Sequence, residues 1–255
     1  MDKMKNRREE IRNLLSVKET MSIKALSEYF SVTGATIRAD IREMERHNEI
    51  SRSNGMVSLM RPYVVNLNVK EKIFINAEQK ERIGACAAAM IQDGDSIIVT
   101  SGTTIESLAR HITSKGELNV VTPSISVALS LTQKDNINIY ALGGKVQKTS
   151  LSVRNDYSLK GLENVCASKL FMSCDGFDFS TGVITATQEE AALTKAMMKV
   201  SGQVILLADS TKLGKTGFGR ICELKEIDIL ITDENLPEKA REKMERLGVH
   251  VEIAK

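Results

Sequence analysis

Two kinds of side-chain grouping in this 255-residue chain could do chemistry. The first is the run Thr33-Gly34-Ala35-Thr36-Ile37-Arg38-Ala39-Asp40-Ile41-Arg42. Small and hydroxyl residues at its start let a backbone come close to base edges, and Arg38 and Arg42 farther along can reach guanine edges or phosphates of duplex DNA. The second kind gathers hydroxyls, glycines, acids and lysines in short clusters. These are Ser101-Gly102-Thr103-Thr104, Gly143-Gly144-Lys145, Asp175-Gly176, Glu190 with Lys195 downstream, and Asp209-Ser210-Thr211-Lys212-Leu213-Gly214. Carboxylates accept from sugar hydroxyls, while a lysine and the N–H groups at a helix start hold phosphate. Each cluster alone has a plainer account: a helix cap, a turn, a solvated strand-end acid. Their coincidence carries the binding reading. Asp175, Glu190, Asp209 and Lys212 could also serve a sugar-phosphate isomerase as base and electrostatic partners.

The elements that must position the first run read as a compact unit. Ile11, Leu14 and Leu15 recur at helical spacing between Arg7 and about Ser16. Ser22 can cap a second helix carrying Ile23, Leu26 and Phe30. After the turn Ser31-Val32-Thr33-Gly34, with Thr33 as N-cap, a third helix sets Ile37, Ile41 and Met44 on one narrow stripe. Two helices joined by a turn of about four residues form a helix-turn-helix. The following Glu49–Leu59 segment reads as strand, Asn54-Gly55 turn and strand, which makes a hairpin wing. Arg52, Ser53 and Asn54 at its tip join Thr33, Gly34, Ala35, Thr36, Arg38 and Arg42 as candidate DNA contacts. A three-helix bundle with a surface hairpin fits the same pattern.

Residues 61–76 have mixed polarity without a clear period, and Pro62 marks a boundary. This predicts a first domain over residues 1–60, a linker over 61–76 and a second domain over 77–255. In the second domain short apolar runs (Ser96–Thr100, Asn119–Thr122, Ile137–Leu142, Lys169–Cys174, Gln203–Ala208, Asp228–Thr232, Val249–Ile253) alternate with helical patterns. That alternation predicts an α/β fold around a mostly parallel sheet, with ligands at the carboxyl ends of the strands.

Composition sets bounds. The 35 Lys and Arg against 33 Asp and Glu leave a formal charge of +2, so DNA contact must come from placement and not from bulk charge. Cys86, Cys166, Cys174 and Cys222 form no CxxC pair, which points to reduced thiols and neither a disulfide framework nor a metal site. The start MDKMKNRREE has no apolar signal core, and no apolar run approaches the roughly 20 residues of a membrane span. A cytoplasmic protein without a cofactor is expected. Helix-turn-helix proteins read paired half-sites, so a homo-oligomer is expected too.

Residues 7–57 resemble the N-terminal domain of the DeoR family of bacterial sugar-operon regulators. The likeness is carried by Leu26-Ser27-Glu28-Tyr29-Phe30-Ser31-Val32-Thr33, by Thr36-Ile37-Arg38-Ala39-Asp40-Ile41, and by Arg52 and Gly55. Ala39 stands where a second arginine is common, and Met56 where a second wing glycine is usual. The stretch from about Glu78 to Asp233 is similar to the DeoR-type sensor domain, related in fold to ribose-5-phosphate isomerase. Here the matches are Gly102-Thr103-Thr104, Gly143-Gly144, Asp175-Gly176, Glu190-Ala191, Lys195-Ala196-Met197 and Leu207–Gly214. Thr100 replaces a frequent aspartate and Pro123 a usual asparagine. The resemblance implies a repressor of a sugar or sugar-alcohol operon, binding double-stranded operator DNA and relieved by a phosphorylated sugar or sugar alcohol. The alternatives are an isomerase-like enzyme with an accessory DNA-binding domain, and a DNA-binding protein whose sensor pocket is vestigial.

Overall fold

The computed structural model describes residues 2–47, 49–53, 55–60, 64, 68–114 and 116–255. Its N-terminal part runs α1 (Asp2–Lys18), β1 (Thr20–Ser22), α2 (Ile23–Phe30), α3 (Gly34–Arg46), β2 (Ile50–Ser53) and β3 (Met56–Leu59). Local chemistry fixes the helix-turn-helix. The Ser22 hydroxyl accepts from Ala25 N, Ser31 adopts a left-handed conformation (φ 51°) to close α2, and Thr33 Oγ1 accepts from Thr36 N to open α3. The stripe Ile37, Ile41 and Met44 packs on Ile11, Leu14, Leu15 and Leu26, with Ile50 and Val57 of the wing completing the core. Strands β2 and β3 pair antiparallel as the hairpin pattern predicts. Strand β1, which the sequence reading does not anticipate, adds a third strand beside β3; three residues are too few to show alternation. One polar group belongs to this core. Asp40, 1% exposed, accepts from Arg7 Nε (2.6 Å) and Arg8 Nε (3.1 Å) and ties α1 to α3.

The second part runs α4 (Val69–Lys72), α5 (Ala77–Ala88), β4 (Ser96–Val99), α6 (Thr103–His111), β5 (Leu118–Thr122), α7 (Ile125–Leu131), β6 (Ile137–Ala141), β7 (Val146–Gln147), β8 (Ser152–Val153) and α8 (Asp156–Lys160). It continues with β9 (Ala167–Ser173), β10 (Gly176–Asp178), β11 (Gly182–Thr185), α9 (Gln188–Lys199), β12 (Ser201–Leu207), β13 (Gly219–Cys222), β14 (Ile229–Thr232), α10 (Glu238–Arg246) and β15 (His250–Ile253). All seven predicted runs become strands of one sheet, ordered β15-β14-β12-β9-β4-β5-β6, with every pairing parallel. Alternate side chains enter two cores. Ile98, Leu170, Met172, Leu206 and Leu230 face α9 and α10, whereas Ile97, Val99, Phe171, Ile205 and Leu207 face the side of α5 and α6. Burial on both faces is why these strands read as continuous apolar runs. The chain winds outward from β4 to β6, returns to β9 beside β4, and winds out the other way. The β4/β9 seam is therefore a topological switch point, where a crevice opens at the strand ends.

The segment expected as a linker is partly structured. Val64 N donates to Thr216 O (2.7 Å) and Val69 N to Thr149 O (2.8 Å), so the segment lies as a strap on the second domain and carries α4. Between the two parts, Lys243 Nζ donates to Val17 O (2.7 Å), and Lys239 hydrogen-bonds the Tyr29 hydroxyl. Among the described residues, no helix is long and apolar enough to cross a membrane.

Candidate nucleic-acid interface and ligand cavity

On α3 the stripe that packs inward leaves Ala35, Arg38, Ala39 and Arg42 exposed, with Gly34 and Thr36 half-buried beside the exposed cap Thr33. The Thr33 and Thr36 hydroxyls lie 2.9 Å apart within the cap. Arg38 and Arg42 stand one turn apart, and neither has an ion-pair partner among the described residues; Arg42 Nε donates to the Arg38 carbonyl (3.2 Å). Arg52, a candidate DNA contact at the wing, is ion-paired within the domain. Its Nε and Nη2 fork onto Glu45 at 2.7 and 2.6 Å, which braces the wing against α3 while the side chain stays exposed. Ser53 is exposed at the wing, and Asn54 lies outside the described residues.

In the second domain a cavity of about 280 Å³ opens at the carboxyl ends of β4, β9 and β12. Ser101, Gly102, Thr103, Thr104, Asp175, Glu190, Asp209 and Lys212 line it together, as the strand-end reading predicts. Gly143, Gly144 and Lys145 do not. They form an exposed turn before β7, where Gly144 (φ 138°) sits so close to Asn155 that a Cβ would lie 2.3 Å from its Oδ1. Lys195 is also elsewhere, in a separate surface cleft with Lys199, Arg220 and Cys222. Five residues on a helix rotate a side chain roughly 140° from its starting direction, so Glu190 and Lys195 diverge. The sequence reading misses Lys72, Asn76, Lys80, Arg154 and Lys215, which all line the cavity. Lys80 left a signal: it occupies the buried stripe of α5 with Ile83, Gly84 and Ala87.

Each acid at this site is held differently. Burial pushes the Asp175 carboxyl up, but Lys72 Nζ at 2.7 Å outweighs it, with Thr185 Oγ1 and Ala186 N at 3.0 Å on the other oxygen, and the group titrates below the usual carboxylate range. Glu190 is raised by burial, against the opposing pull of Arg154, whose Nη1 lies 3.0 Å away. Asp209 is 1% exposed; its Oδ1 accepts from Asn76 Nδ2 (3.0 Å) and Thr211, while its Oδ2 has no hydrogen-bond partner among the described residues.

The cations outnumber them. Among the described residues Lys80, Lys212 and Lys215 have no carboxylate within ion-pair distance. Burial and then Lys212 lower Lys80 to about 8, and the same two causes lower Lys215. Helix α6 starts at Gly102 (φ 115°) with no side-chain cap, so its first N–H groups open beside Thr103 and Thr104. A Cβ at position 102 would lie 2.7 Å from Ser173 Oγ, which requires glycine there. The arrangement suits an anion carrying hydroxyl groups.

Comparison with known proteins fits both halves. Residues 7–62 match the family model described as a DeoR-like helix-turn-helix domain, and residues 75–234 match the DeoR C terminal sensor domain. Among similar proteins, the uncharacterized HTH-type transcriptional regulator YulB of Bacillus subtilis is 34% identical over 90% of this chain and 89% of its own length. The HTH-type transcriptional repressor GlcR of Bacillus subtilis is 34% identical over 82% of this chain and 80% of its own. The HTH-type transcriptional regulator GolR of Listeria innocua is 28% identical over 97% and 98%. Solved structures are more distant. Ribose 5-phosphate isomerase A from Methanocaldococcus jannaschii aligns over 54% of each chain at 15% identity and a TM-score of 0.38. The probable sor operon regulator of Shigella flexneri aligns over 69% of this chain and 91% of that one at 14% identity and a TM-score of 0.41. Likenesses this faint carry no weight for function.

Proposed function

The chain belongs to the DeoR family of transcriptional regulators, and from that premise we propose that it represses a sugar or sugar-alcohol catabolic operon and is released by a phosphorylated effector held in the second domain. It is a DNA-binding regulator and not an enzyme. Repression as the sign of the response draws on relatives such as GlcR. One observation carries the effector class: Lys80, Lys212 and Lys215, each without a carboxylate partner among the described residues, line one cavity with the uncapped start of α6. A phosphoryl dianion neutralises such a site, and the unclaimed Asp209 Oδ2 accepts from a hydroxyl. The effector must bind one arrangement of the two domains better than another, or it would shift nothing. We assign residues 1–60 to the DNA-reading domain and 77–255 to the sensor, with the 61–76 strap between them. A cytoplasmic homo-oligomer on paired half-sites completes the reading.

The test is thermal denaturation of the protein against a panel of sugar phosphates and their unphosphorylated parents. A true effector at about a hundredfold its Kd stabilises by about 2.7 kcal/mol, which raises Tm by roughly 5–10 °C, and its parent does not. A flat panel would overturn the effector assignment and leave a DNA-binding protein with a vestigial pocket.

A further inference from the structure

We propose that Lys80, on the first helix of the second domain, captures the effector's phosphoryl group and in doing so releases its hold on the strap that leads to the DNA-reading domain. The inference rests on the effector reading above and names the residue and the route it uses.

Lys80 occupies a position that a hydrophobic residue would ordinarily take. Its neighbours on the buried side of α5 are Ile83, Gly84 and Ala87, and it is 5% exposed. An ammonium has three donors, and a buried one is normally matched by a carboxylate. Lys80 Nζ instead donates to the Lys72 carbonyl at 2.5 Å, with no carboxylate in ion-pair range among the described residues. The charged groups facing it are Lys72 from α4, Glu106 from α6, and Asp209 and Lys212 from the turn after β12. Asp209 is engaged by Asn76 and Thr211, and Glu106 accepts from Ser126 (2.6 Å). The local excess is positive, buried, and set beside the open N–H groups of α6. A phosphate monoester dianion is the ligand that removes this excess and uses the spare donors.

The bond that Lys80 now makes has a consequence. Lys72 is the last residue of α4, and besides the Val64 and Val69 backbone bonds the α4 end of the strap is pinned to the cavity wall first by the Lys80–Lys72 carbonyl bond, then by the Lys72–Asp175 ion pair at 2.7 Å and by Asn76, which donates to Asp209 at 3.0 Å and Thr211 at 3.1 Å. A dianion that draws the Lys80 ammonium away removes the first pin. The strap runs back in sequence to the wing that ends at Leu59.

The test measures inorganic phosphate binding by the full chain, by calorimetry, across a pH series from about 7 to 9.5. Wild type should bind best between about pH 7 and 8, as phosphate becomes dianionic, and weaken above about 8, where Lys80 loses its proton and phosphate has completed that ionisation. Lys80→Met should weaken binding about tenfold or more near pH 7.5, the scale of one charge-assisted bond, and flatten the pH profile. Lys80→Arg, charged throughout, should keep binding and make the fall above about pH 8 shallower, the remainder coming from Lys215. Phosphate should also speed amide exchange across residues 68–76 in wild type and not in Lys80→Met. Lys80→Met removes a buried charge and should melt no lower than wild type without phosphate, which separates lost binding from lost fold. Wild-type phosphate affinity in Lys80→Met overturns the assignment to Lys80 while the effector reading stands. A strap whose exchange ignores phosphate in wild type overturns the release. Wild type that binds neither phosphate nor any sugar phosphate overturns the effector reading itself.

Discussion

Arg38 and Lys80 are both cations without a carboxylate partner among the described residues, and they meet opposite surroundings. Arg38 stands exposed on α3, one turn from Arg42, where water and salt screen its charge. Lys80 is buried at the β4/β9 switch point, where its charge is costly enough to bring its pKa to about 8. On the proposed reading the protein has two ways of meeting phosphate: an exposed surface for a polymer, whose binding should respond to ionic strength, and a buried cavity for a small dianion, whose binding should respond to pH. Buried charge follows the same divide. In the first domain Asp40 is fully paired with Arg7 and Arg8, and in the second Lys80 is held in reserve.

The largest expected effect breaks the paired half of this comparison. Asp40→Ala removes the buried acceptor of two half-buried guanidinium groups and the tie between α1 and α3, and should cost about 2–3 kcal/mol of stability, read as a lower denaturant midpoint for the DNA-reading domain. Lys80→Met should do the opposite, with a Tm at or above wild type near pH 7. The sign follows from linkage. The unfolded chain holds the Lys80 proton up to about 10.5 and the fold only to about 8, so wild type gains stability through that window and the gap should close as pH rises across it. An unchanged gap would show that Lys80 does not titrate low.

Arg38→Ala should weaken operator binding by about 2 kcal/mol and reduce the slope of log affinity against log salt by roughly one phosphate's worth if its contact is to the backbone. Unchanged gel-shift affinity would remove Arg38 from the interface. Lys212→Met should weaken sugar-phosphate binding by about 1.5 kcal/mol, measured by calorimetry, with little change in DNA affinity of the effector-free protein. The smallest effect is expected at Lys195. It lies in a different cleft, and Lys195→Ala should leave effector affinity within about 0.3 kcal/mol of wild type; a larger loss would move the site.

The same contrast governs what could be read in the sequence. The seven sheet strands were legible because burial on both faces turns them into apolar runs. Strands β1, β7 and β8 were not, because two or three residues show no period. Thr33 as cap and the Ile37, Ile41, Met44 stripe follow from local spacing. Arg52 and Glu45 do not, since their pairing depends on how the wing folds back over α3. In the cavity, Ser101–Thr104, Asp175 and Asp209 were visible as strand-end residues. Lys72, Lys80, Arg154 and Lys215 come from the strap, the first helix and two loops, which only the tertiary fold brings to the switch point.

On the proposed function, a phosphorylated polyol in the cavity governs what the exposed face of α3 binds. The direct measurement is fluorescence anisotropy of the full chain on labelled DNA from upstream of its own gene, titrated with sugar phosphates and their parents. Specific, salt-sensitive binding is expected, which one phosphorylated member weakens at least tenfold while its parent leaves it unchanged. Tight DNA binding indifferent to every phosphorylated member of the panel would contradict it.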